Sequence, residues 1–243
     1  MKSLFDKTIL KNLELKNRFI RSATWEGMAE NGHVTDKLLN IYNNLSKGGC
    51  AAIITGYAYI HDDEQPTYCM LGASNDSYID DFKRLTDTVH ANDTKIILQL
   101  AYGGTQTKYN IDNRIIWGPS SLEHKQTKVM AKEMTKEELK LLAELFADAA
   151  LRGKIGGFDG VQIHCAHGYL LSQFLSPYYN RRSDEYGGPI ENKARILYEI
   201  ISKVQEKVGV NFPVLVKINC SDFDNDEGLE FEEAKYVCKE LAK

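Results

Sequence analysis

The sequence predicts an α/β protein of the (β/α) barrel type, and three observations lead to that prediction. Strand-like runs alternate with helix-like runs five times after an N-terminal hairpin, the order expected of parallel strands joined by right-handed crossovers. The pattern G-x-G-x-x-G, which a doubly wound dinucleotide fold would normally carry, occurs nowhere in the chain. The strand-like run 158–164 opens directly into two histidines and a tyrosine, as active-site residues do at the carboxyl end of a barrel strand.

The predicted barrel is incomplete. Eight strand-helix units typically occupy about 250 residues. This chain has used its 243 residues on five units and long loops. We therefore expect residues 1–243 to form one C-terminally truncated barrel domain. The parallel sheet of such a domain has two open edges, and open edges favour pairing with another chain.

The composition is that of a globular protein, with 43% hydrophobic and 26% charged residues. A balance of 30 basic and 34 acidic residues indicates no general affinity for nucleic acid or for anionic membranes. No apolar run approaches the roughly 18–20 residues of a spanning helix, and the first residues lack the apolar core of a signal peptide. We expect a cytoplasmic protein with neither a membrane nor a nucleic-acid partner.

The first elements follow from local patterns. Residues 8–16 alternate apolar and polar side chains around a central turn, which indicates a hairpin, and residues 17–24 form the first core strand. Thr35 can cap a helix that ends at Gly48. The continuous apolar run 51–57 is typical of a strand buried on both faces.

The middle of the chain holds a helix over 76–91, a strand over 95–100 and a polar connection over 101–133. Connections longer than about 15 residues are usually functional, so we expect part of this one to cover the mouth of the site. Thr135 and Glu138 form a capping box, and the helix that it starts is predicted to end before Gly153.

The last elements surround the histidine cluster. The strand 158–164 is followed by a turn-rich stretch over 170–189, and a helix is predicted from about 190 to 207. The fifth strand covers 213–219 and the last helix roughly 231–242. Five scattered cysteines without a C-x-x-C pair favour reduced structural thiols.

Several motifs together resemble the old yellow enzyme family of flavin oxidoreductases. The matching segments are Lys16-Asn17-Arg18, 53–56, 99–104, 157–177, 180–188, Glu191-Asn192 and Arg195. The resemblance runs from residue 3 to residue 242, and the block 157–195 is highly specific. It implies a TIM barrel with FMN across the strand ends, NADH or NADPH as reductant, and reduction of a small molecule with an activated alkene.

The resemblance also implies residues that hold the flavin. Gln99 offers an amide to the pyrimidine edge, and Lys217 stands where a cation faces flavin N1 and the C2 carbonyl. The other implied contacts are the backbone of Ser22, Ala23 and Thr24 and the side chains of Trp25 and Tyr57. A structural alternative for Lys217 is an ion pair inside the barrel.

The implied catalytic residues are His164, His167 and Tyr169. The two histidines resemble the pair that hydrogen-bonds the carbonyl or nitro oxygen of the alkene, and the tyrosine resembles the general acid. Core packing or an H-x-x-H metal site are the alternatives. A metal is not expected, because catalytic zinc usually takes three protein ligands and the sequence positions no third.

The chain departs from the family pattern at two bulky residues and over its last strands. Trp25 stands where many relatives carry a small Thr or Cys, and Tyr57 stands near a position often held by Ala; either aromatic could equally be ordinary packing. The phosphate-binding loops after strands seven and eight are not encoded.

Three hypotheses follow. The first is the catalytic face of an FMN-dependent ene-reductase, as a homo-oligomer or completed by another chain. The second is a cofactor-free barrel fragment that acts as a non-catalytic binding or assembly subunit. The third is a barrel of another class, such as a metal-dependent hydrolase, which the lack of metal-ligand spacing argues against.

Overall fold

A parallel sheet forms the centre of the computed structural model, which describes residues 2–224 and 227–243. The strands are, in chain order, β1 (Thr8–Leu10), β2 (Leu13–Leu15), β3 (Ile20–Arg21), β4 (Ala52–Tyr59), β5 (Leu71–Gly72), β6 (Lys95–Ala101), β7 (Trp117–Gly118), β8 (Lys132–Glu133), β9 (Gly160–Cys165) and β10 (Val214–Ile218). The helices are α1 (Asp36–Lys47), α2 (Ile79–His90), α3 (Lys136–Ile155), α4 (Leu170–Leu175), α5 (Ile190–Lys193), α6 (Arg195–Val208) and α7 (Phe231–Leu241).

The order of the strands is that of a barrel wall. The main path of the sheet runs β3, β4, β6, β9 and β10, and every pairing along it is parallel. Each strand therefore lies beside the one that precedes it along this path. A doubly wound sheet reverses its strand order at a switch point, whereas this order never reverses. The prediction of an incomplete (β/α) barrel is confirmed.

The two faces of the sheet are covered differently. Val161, Ile163 and Cys165 of β9 belong to the large apolar core that also includes residues of α2, α3 and α6. On the other face, Leu13 and Leu15 of the β1–β2 hairpin pack in a second cluster with Ile97 and neighbouring residues of β4. The hairpin thus closes one end of the barrel interior, and the carboxyl ends of the strands form the other end.

Capping residues begin two helices where the sequence predicts. Thr35 Oγ1 accepts the backbone N–H of Leu38 at the start of α1. At the start of α3, Thr135 and Glu138 make both bonds of the capping box. These side chains satisfy backbone donors that have no partner within the helix.

The predicted end of α3 is wrong. The helix passes through Gly153 and continues to Ile155. A Cβ atom at Gly153 would lie 3.0 Å from Leu98 Cδ2 and 3.7 Å from Val161 Cγ1. The glycine therefore allows close packing of the helix on the sheet, a role that a local pattern cannot distinguish from helix termination.

Three other elements differ from their predicted form. The first core strand is reduced to the two residues of β3, the stretch 170–189 contains α4, and the connection 101–133 contains the two paired strands β7 and β8. None of the described helices combines the length and hydropathy that a bilayer crossing requires.

Candidate functional site

A pocket of about 240 Å³ lies at the carboxyl ends of the central strands. Its lining residues are Ala23, Thr24, Trp25, Tyr57, Thr67, Met70, Gln99, His164, His167, Tyr169 and Lys217. Every predicted site residue except Ser22 is therefore in one cavity, although the residues come from segments far apart in the chain. The side chain of Ser22 is exposed, and its carbonyl oxygen accepts the Thr24 hydroxyl at 3.2 Å.

Strand register places the polar side chains in two layers. Gln99 is the register partner of Tyr57 on one side and of Gln162 on the other. In the second layer, His164 is the register partner of Lys217, and it lies two residues nearer the carboxyl end of β9 than Gln162. Alternate residues of a strand point to the same face, so Gln162 and His164 share a face opposite the apolar residues of β9.

The Gln99 amide is held by the neighbouring strand. Its Nε2 donates to Gln162 Oε1 at 2.8 Å, and its backbone N–H donates to Thr55 Oγ1 at 3.0 Å. Both glutamines are buried. An amide has two N–H donors and a carbonyl oxygen, so this bond fixes the group and leaves it able to bind a ligand. The prediction omitted Gln162, although a glutamine within an apolar strand was a usable signal.

His164 is a neutral imidazole with a defined tautomer. The backbone N–H of Ala166 donates to His164 Nδ1 at 3.3 Å, so the ring proton is on Nε2. Burial lowers the pKa of His164 to about 3, and the nearby His167 and Lys217 add to the effect. The ring therefore offers an Nε2–H donor at neutral pH.

His167 stands beside it in a strained backbone conformation. The two imidazole centroids are 5.0 Å apart. His167 has φ of 61°, and its backbone N–H donates to Asn219 Oδ1 at 3.1 Å. Burial lowers the pKa of His167, and Lys217 lowers it further. Tertiary contacts thus hold this residue in a left-handed conformation that a non-glycine residue rarely adopts.

Tyr169 completes the aromatic cluster of the pocket. Its ring lies edge-on to His164, with centroids 5.0 Å apart, and edge-on to Tyr57 at 5.1 Å. Burial raises the pKa of Tyr169 above its usual value. The phenol therefore keeps its proton at neutral pH and can donate it.

Lys217 brings a positive charge to the edge of the pocket. It is half-buried on β10, and no ion pair involves its side chain within residues 2–224 and 227–243. The alternative of an ion pair inside the barrel is therefore not observed in the described part of the chain. Its charge is available to an anionic or electron-rich ligand.

The first-strand residues form a more open side. Ala23, Thr24 and Trp25 line the pocket, but the Trp25 side chain is 46% exposed and meets the ring of Tyr68 edge-on at 6.0 Å. This arrangement leaves much of the indole surface accessible.

A buried ion pair that the sequence did not reveal braces the loops beside the pocket. Arg114 lies 3.3 Å from Glu64, and both side chains are almost fully buried. Glu64 also accepts the backbone N–H groups of Gly103 and Gly104. Burial raises the pKa of Glu64, while Arg114 and the two backbone N–H donors oppose the rise and favour the charged carboxylate. No local signal links two residues that stand fifty positions apart.

The same network reaches the loop that carries Thr67 and Met70, the two lining residues that the prediction omitted. Arg114 Nη2 donates to Thr107 Oγ1 at 3.1 Å, and Thr107 Oγ1 donates to the carbonyl oxygen of Pro66 at 2.8 Å. The loops after β4 and β6 are therefore fastened to each other.

The connection 101–133 does not line this pocket, in contrast to the expected cover. Gln106 and His124 instead help to line a neighbouring cavity of about 570 Å³. His167 lines both cavities and stands between them.

Comparison with known proteins identifies the family of this chain. The family model described as NADH:flavin oxidoreductase / NADH oxidase matches residues 3–243. A metal reductase from Desulforamulus reducens is 34% identical over 243 residues, which are 100% of this chain and 36% of that protein. An NADPH dehydrogenase from Listeria welshimeri is 35% identical over 235 residues, 96% of this chain and 68% of that protein.

A solved structure gives the same result for the fold. Old yellow enzyme from Pichia sp. AKU4542 superposes with a TM-score of 0.90 at 26% identity, covering 98% of this chain and 67% of that one. The chain thus spans from about a third to about two thirds of the length of these similar proteins. It belongs to the NADH:flavin oxidoreductase / NADH oxidase family, with the old yellow enzymes among its structural relatives.

Proposed function

We propose that this chain forms the catalytic wall of an FMN-dependent oxidoreductase that takes hydride from NADH or NADPH and reduces an activated C=C bond. The observation that carries the proposal is the single pocket in which Gln99, His164, His167, Tyr169 and Lys217 come together. This pocket holds the groups that such a reaction needs: an amide, two neutral imidazoles, a protonated phenol and a cation.

The donor set fits a flavin ring. The Gln99 amide would bind the pyrimidine edge, and the Lys217 cation would lie near the atoms that become electron-rich on reduction. The backbone of Ser22, Ala23 and Thr24 and the side chains of Trp25 and Tyr57 would supply the remaining contacts of the ring. When bound, FMN supplies the hydride carrier that protein side chains lack.

The two histidines act on the substrate oxygen. His164 and His167 would donate hydrogen bonds to the carbonyl or nitro oxygen of the alkene. Negative charge grows on that oxygen as hydride arrives at the β-carbon, so fixed donors stabilise the transition state more than the ground state. The neutral state of His164 suits this role, since its ring needs no proton transfer to remain a donor.

Tyr169 would deliver the proton to the α-carbon. A phenol is a weak acid near neutral pH, but a carbanion at the α-carbon is far more basic. The burial that raises the pKa of Tyr169 keeps it protonated until that point.

The same proposal treats residues 1–243 as one FMN-binding barrel domain that pairs with further strands. The main path of the described sheet ends at β3 and β10, and unpaired strand edges favour association. A second copy or another chain would supply the partner. Size-exclusion chromatography with light scattering should give an assembly, and a compact monomer would contradict this part of the proposal.

The open edges also favour one other candidate function, a cofactor-free binding or assembly subunit. The visible absorption spectrum separates the two functions. Purified protein incubated with excess FMN and then desalted should retain flavin bands if the proposal is right. A colourless protein would contradict FMN binding and favour the assembly role.

Replacement of Tyr169 tests the assigned chemistry. The variant Tyr169→Phe should slow reduction of 2-cyclohexen-1-one by about 10²-fold or more, because proton delivery is removed. Reduction of the flavin by NAD(P)H should stay nearly unchanged in stopped-flow measurements. Equal losses in both half-reactions would argue against Tyr169 as the acid.

A further inference from the structure

A cavity of about 570 Å³ lies beside the candidate site, and the proposed function gives it no role. His167 lines both this cavity and the 240 Å³ pocket, so a molecule bound in the pocket can extend past this residue. Pockets that hold small molecules usually measure about 300–1,000 Å³, a range that includes the cavity and not the pocket. The two volumes point to a ligand that is longer than the reacting alkene.

His124 offers a hydrogen-bond donor to this cavity. The backbone N–H groups of Gln126 and Thr127 donate to its Nδ1 at 3.2 and 3.1 Å, so the ring proton is on Nε2. Nε2 has no partner within residues 2–224 and 227–243. The fully buried atoms without a partner in that part of the chain belong to other residues, so Nε2 keeps contact with open space, and the cavity that His124 lines is that space.

The surroundings of His124 fix this donor in place. The residue is 3% exposed, and its ring stacks on Tyr179, with centroids 5.2 Å apart and planes at 16°. Thr127 Oγ1 donates to the carbonyl oxygen of Thr105 at 2.8 Å, which fastens the loop of His124 to the next loop. Burial lowers the pKa of His124, and the nearby Lys128 adds to the effect. The ring is therefore a neutral and oriented donor at neutral pH.

Gln106 supplies a second polar group to the cavity. Its side-chain amide also has no partner in the described part of the chain, and it follows directly after Thr105, to which the His124 loop is fastened. An amide side chain can both donate and accept. A ligand that carries a carbonyl oxygen and an N–H group would satisfy His124 and Gln106 together, and a single amide group has both.

The charges around the cavity argue against an anionic ligand. Lys125 lines the cavity together with Asp222 and Asp224. Lys125 Nζ already lies 2.5 Å from Asp224 Oδ2 and 2.9 Å from Glu227 Oε2. A carboxylate or phosphate on the ligand would meet the charge of Asp222, and the described lining has no uncommitted cation to balance it. A neutral polar group suits this cavity better.

We infer that the substrate carries a neutral amide on the carbonyl side of its alkene and that this amide binds in the 570 Å³ cavity, where its oxygen accepts the Nε2–H of His124. The inference rests on the proposed function, in which His164 and His167 hold the oxygen of the activated alkene. The other substituent of that carbonyl carbon then lies beside His167 and extends into the cavity. His124 is thus a residue that determines substrate preference.

Binding of unreactive probes to the wild-type protein is the first test. The saturated thioester S-(2-acetamidoethyl) thiobutyrate carries the amide, S-pentyl thiobutyrate replaces it with an alkyl chain of the same length, and S-(2-carboxyethyl) thiobutyrate carries an anion. Saturation-transfer NMR on protein incubated with FMN should give at least about fivefold higher affinity for the amide than for either analogue, the difference expected for one neutral hydrogen bond. Equal affinities, or no binding of any probe, would overturn the inference.

Variants of His124 test the assigned donor. His124→Asn keeps an acceptor for the N–H groups of Gln126 and Thr127 but loses Nε2–H, so the amide preference should fall to about twofold or less. His124→Gln can return an N–H near the Nε2 position and should keep most of the preference. His61→Asn is the matched control, since His61 Nδ1 accepts the N–H of Asp63 in the same way and lines neither cavity. An unchanged preference in His124→Asn, or an equal loss in both His124 variants, would overturn the role of the donor.

Turnover of the matching unsaturated thiocrotonates separates this inference from the proposed function. The amide-bearing thiocrotonate should have a kcat/KM at least about fivefold above that of the pentyl compound, and His124→Asn should remove the difference. Protein that prefers the amide probe but reduces neither thiocrotonate would contradict the proposed function alone. Protein that reduces both thiocrotonates equally well would contradict the inference alone.

Discussion

The central wall of the sheet, formed by β4, β6 and β9, differs from its two edge strands, β3 and β10. Gln99 and His164 of the central wall are each 3% exposed. Lys217 on β10 is half-buried, and Trp25, just after β3, is 46% exposed. The two regions contribute to one pocket under different constraints.

The difference follows from what each group must do. An amide and an imidazole act only through directed hydrogen bonds, so they need partners that fix their orientation. Gln162 on the neighbouring strand holds Gln99, and the backbone N–H of Ala166 holds His164. A charge or an aromatic surface acts over a wider range of orientations. The edge strands therefore suffice for Lys217 and Trp25, and they leave that side of the pocket free to adapt.

The largest expected effect comes from removing the buried ion pair of Arg114 and Glu64, which holds together the loops that follow β4 and β6 of the central wall. Arg114→Ala leaves the buried Glu64 carboxyl without its ion-pair partner, and removal of one member of a buried pair typically costs about 3–5 kcal/mol. Urea unfolding measures the change. The exposed pair of Lys83 and Asp80 gives the control, since Lys83→Ala should shift the free energy of unfolding by no more than about 0.5 kcal/mol. Equal losses would mean that the brace contributes no more than a surface pair.

A matched pair of valines compares the two regions directly. Val161 on β9 and Val214 on β10 are register partners, but only Val161 is fully buried. Val161→Ala should lower the free energy of unfolding by about 2 kcal/mol, from two lost methyl groups and the cavity that they leave. Val214→Ala should cost less than about 1 kcal/mol for the same change. If both variants lost the same free energy of unfolding, the side chains of β10 would be buried as completely as those of β9. Such a result would indicate a partner chain on that edge of the sheet.

The smallest expected effect is the pH dependence that His164 gives to the central wall. Its folded-state pKa of about 3 lies below the ordinary value of 6.5, so the folded protein binds fewer protons than the unfolded chain between those values. The stabilisation is fully present above pH 6.5 and is lost as the pH falls toward 3. The free energy of unfolding should drop by about 1 kcal/mol between about pH 7 and about pH 5.5 from this group.

His164→Gln tests this contribution, because glutamine keeps an N–H donor and cannot titrate. The variant should lose less stability than the wild type when denaturant titrations at the two pH values are compared. The same slope in both proteins would show that His164 is not buried as a neutral imidazole.

Much of the fold follows from local patterns. The five strand-helix units, the cap at Thr35 and the capping box at Thr135 depend on residues a few positions apart, and the structure has them as predicted. The end of α3 was mispredicted, because the role of Gly153 depends on Leu98 across the helix–sheet interface.

The sequence by itself determined the alternation of strand and helix units and the helix caps, which can be read along the chain, and the segment 157–195 carried the family resemblance that implied the candidate chemistry. Only the tertiary structure decided that Tyr57, Gln99, His164 and Lys217 face one pocket, that Gln162 holds Gln99, and that Glu64 pairs with Arg114. The physical reason is the distance along the chain between the residues that interact. Helix caps and strand patterns depend on interactions between near neighbours, whereas strand register and burial arise only when distant segments pack together.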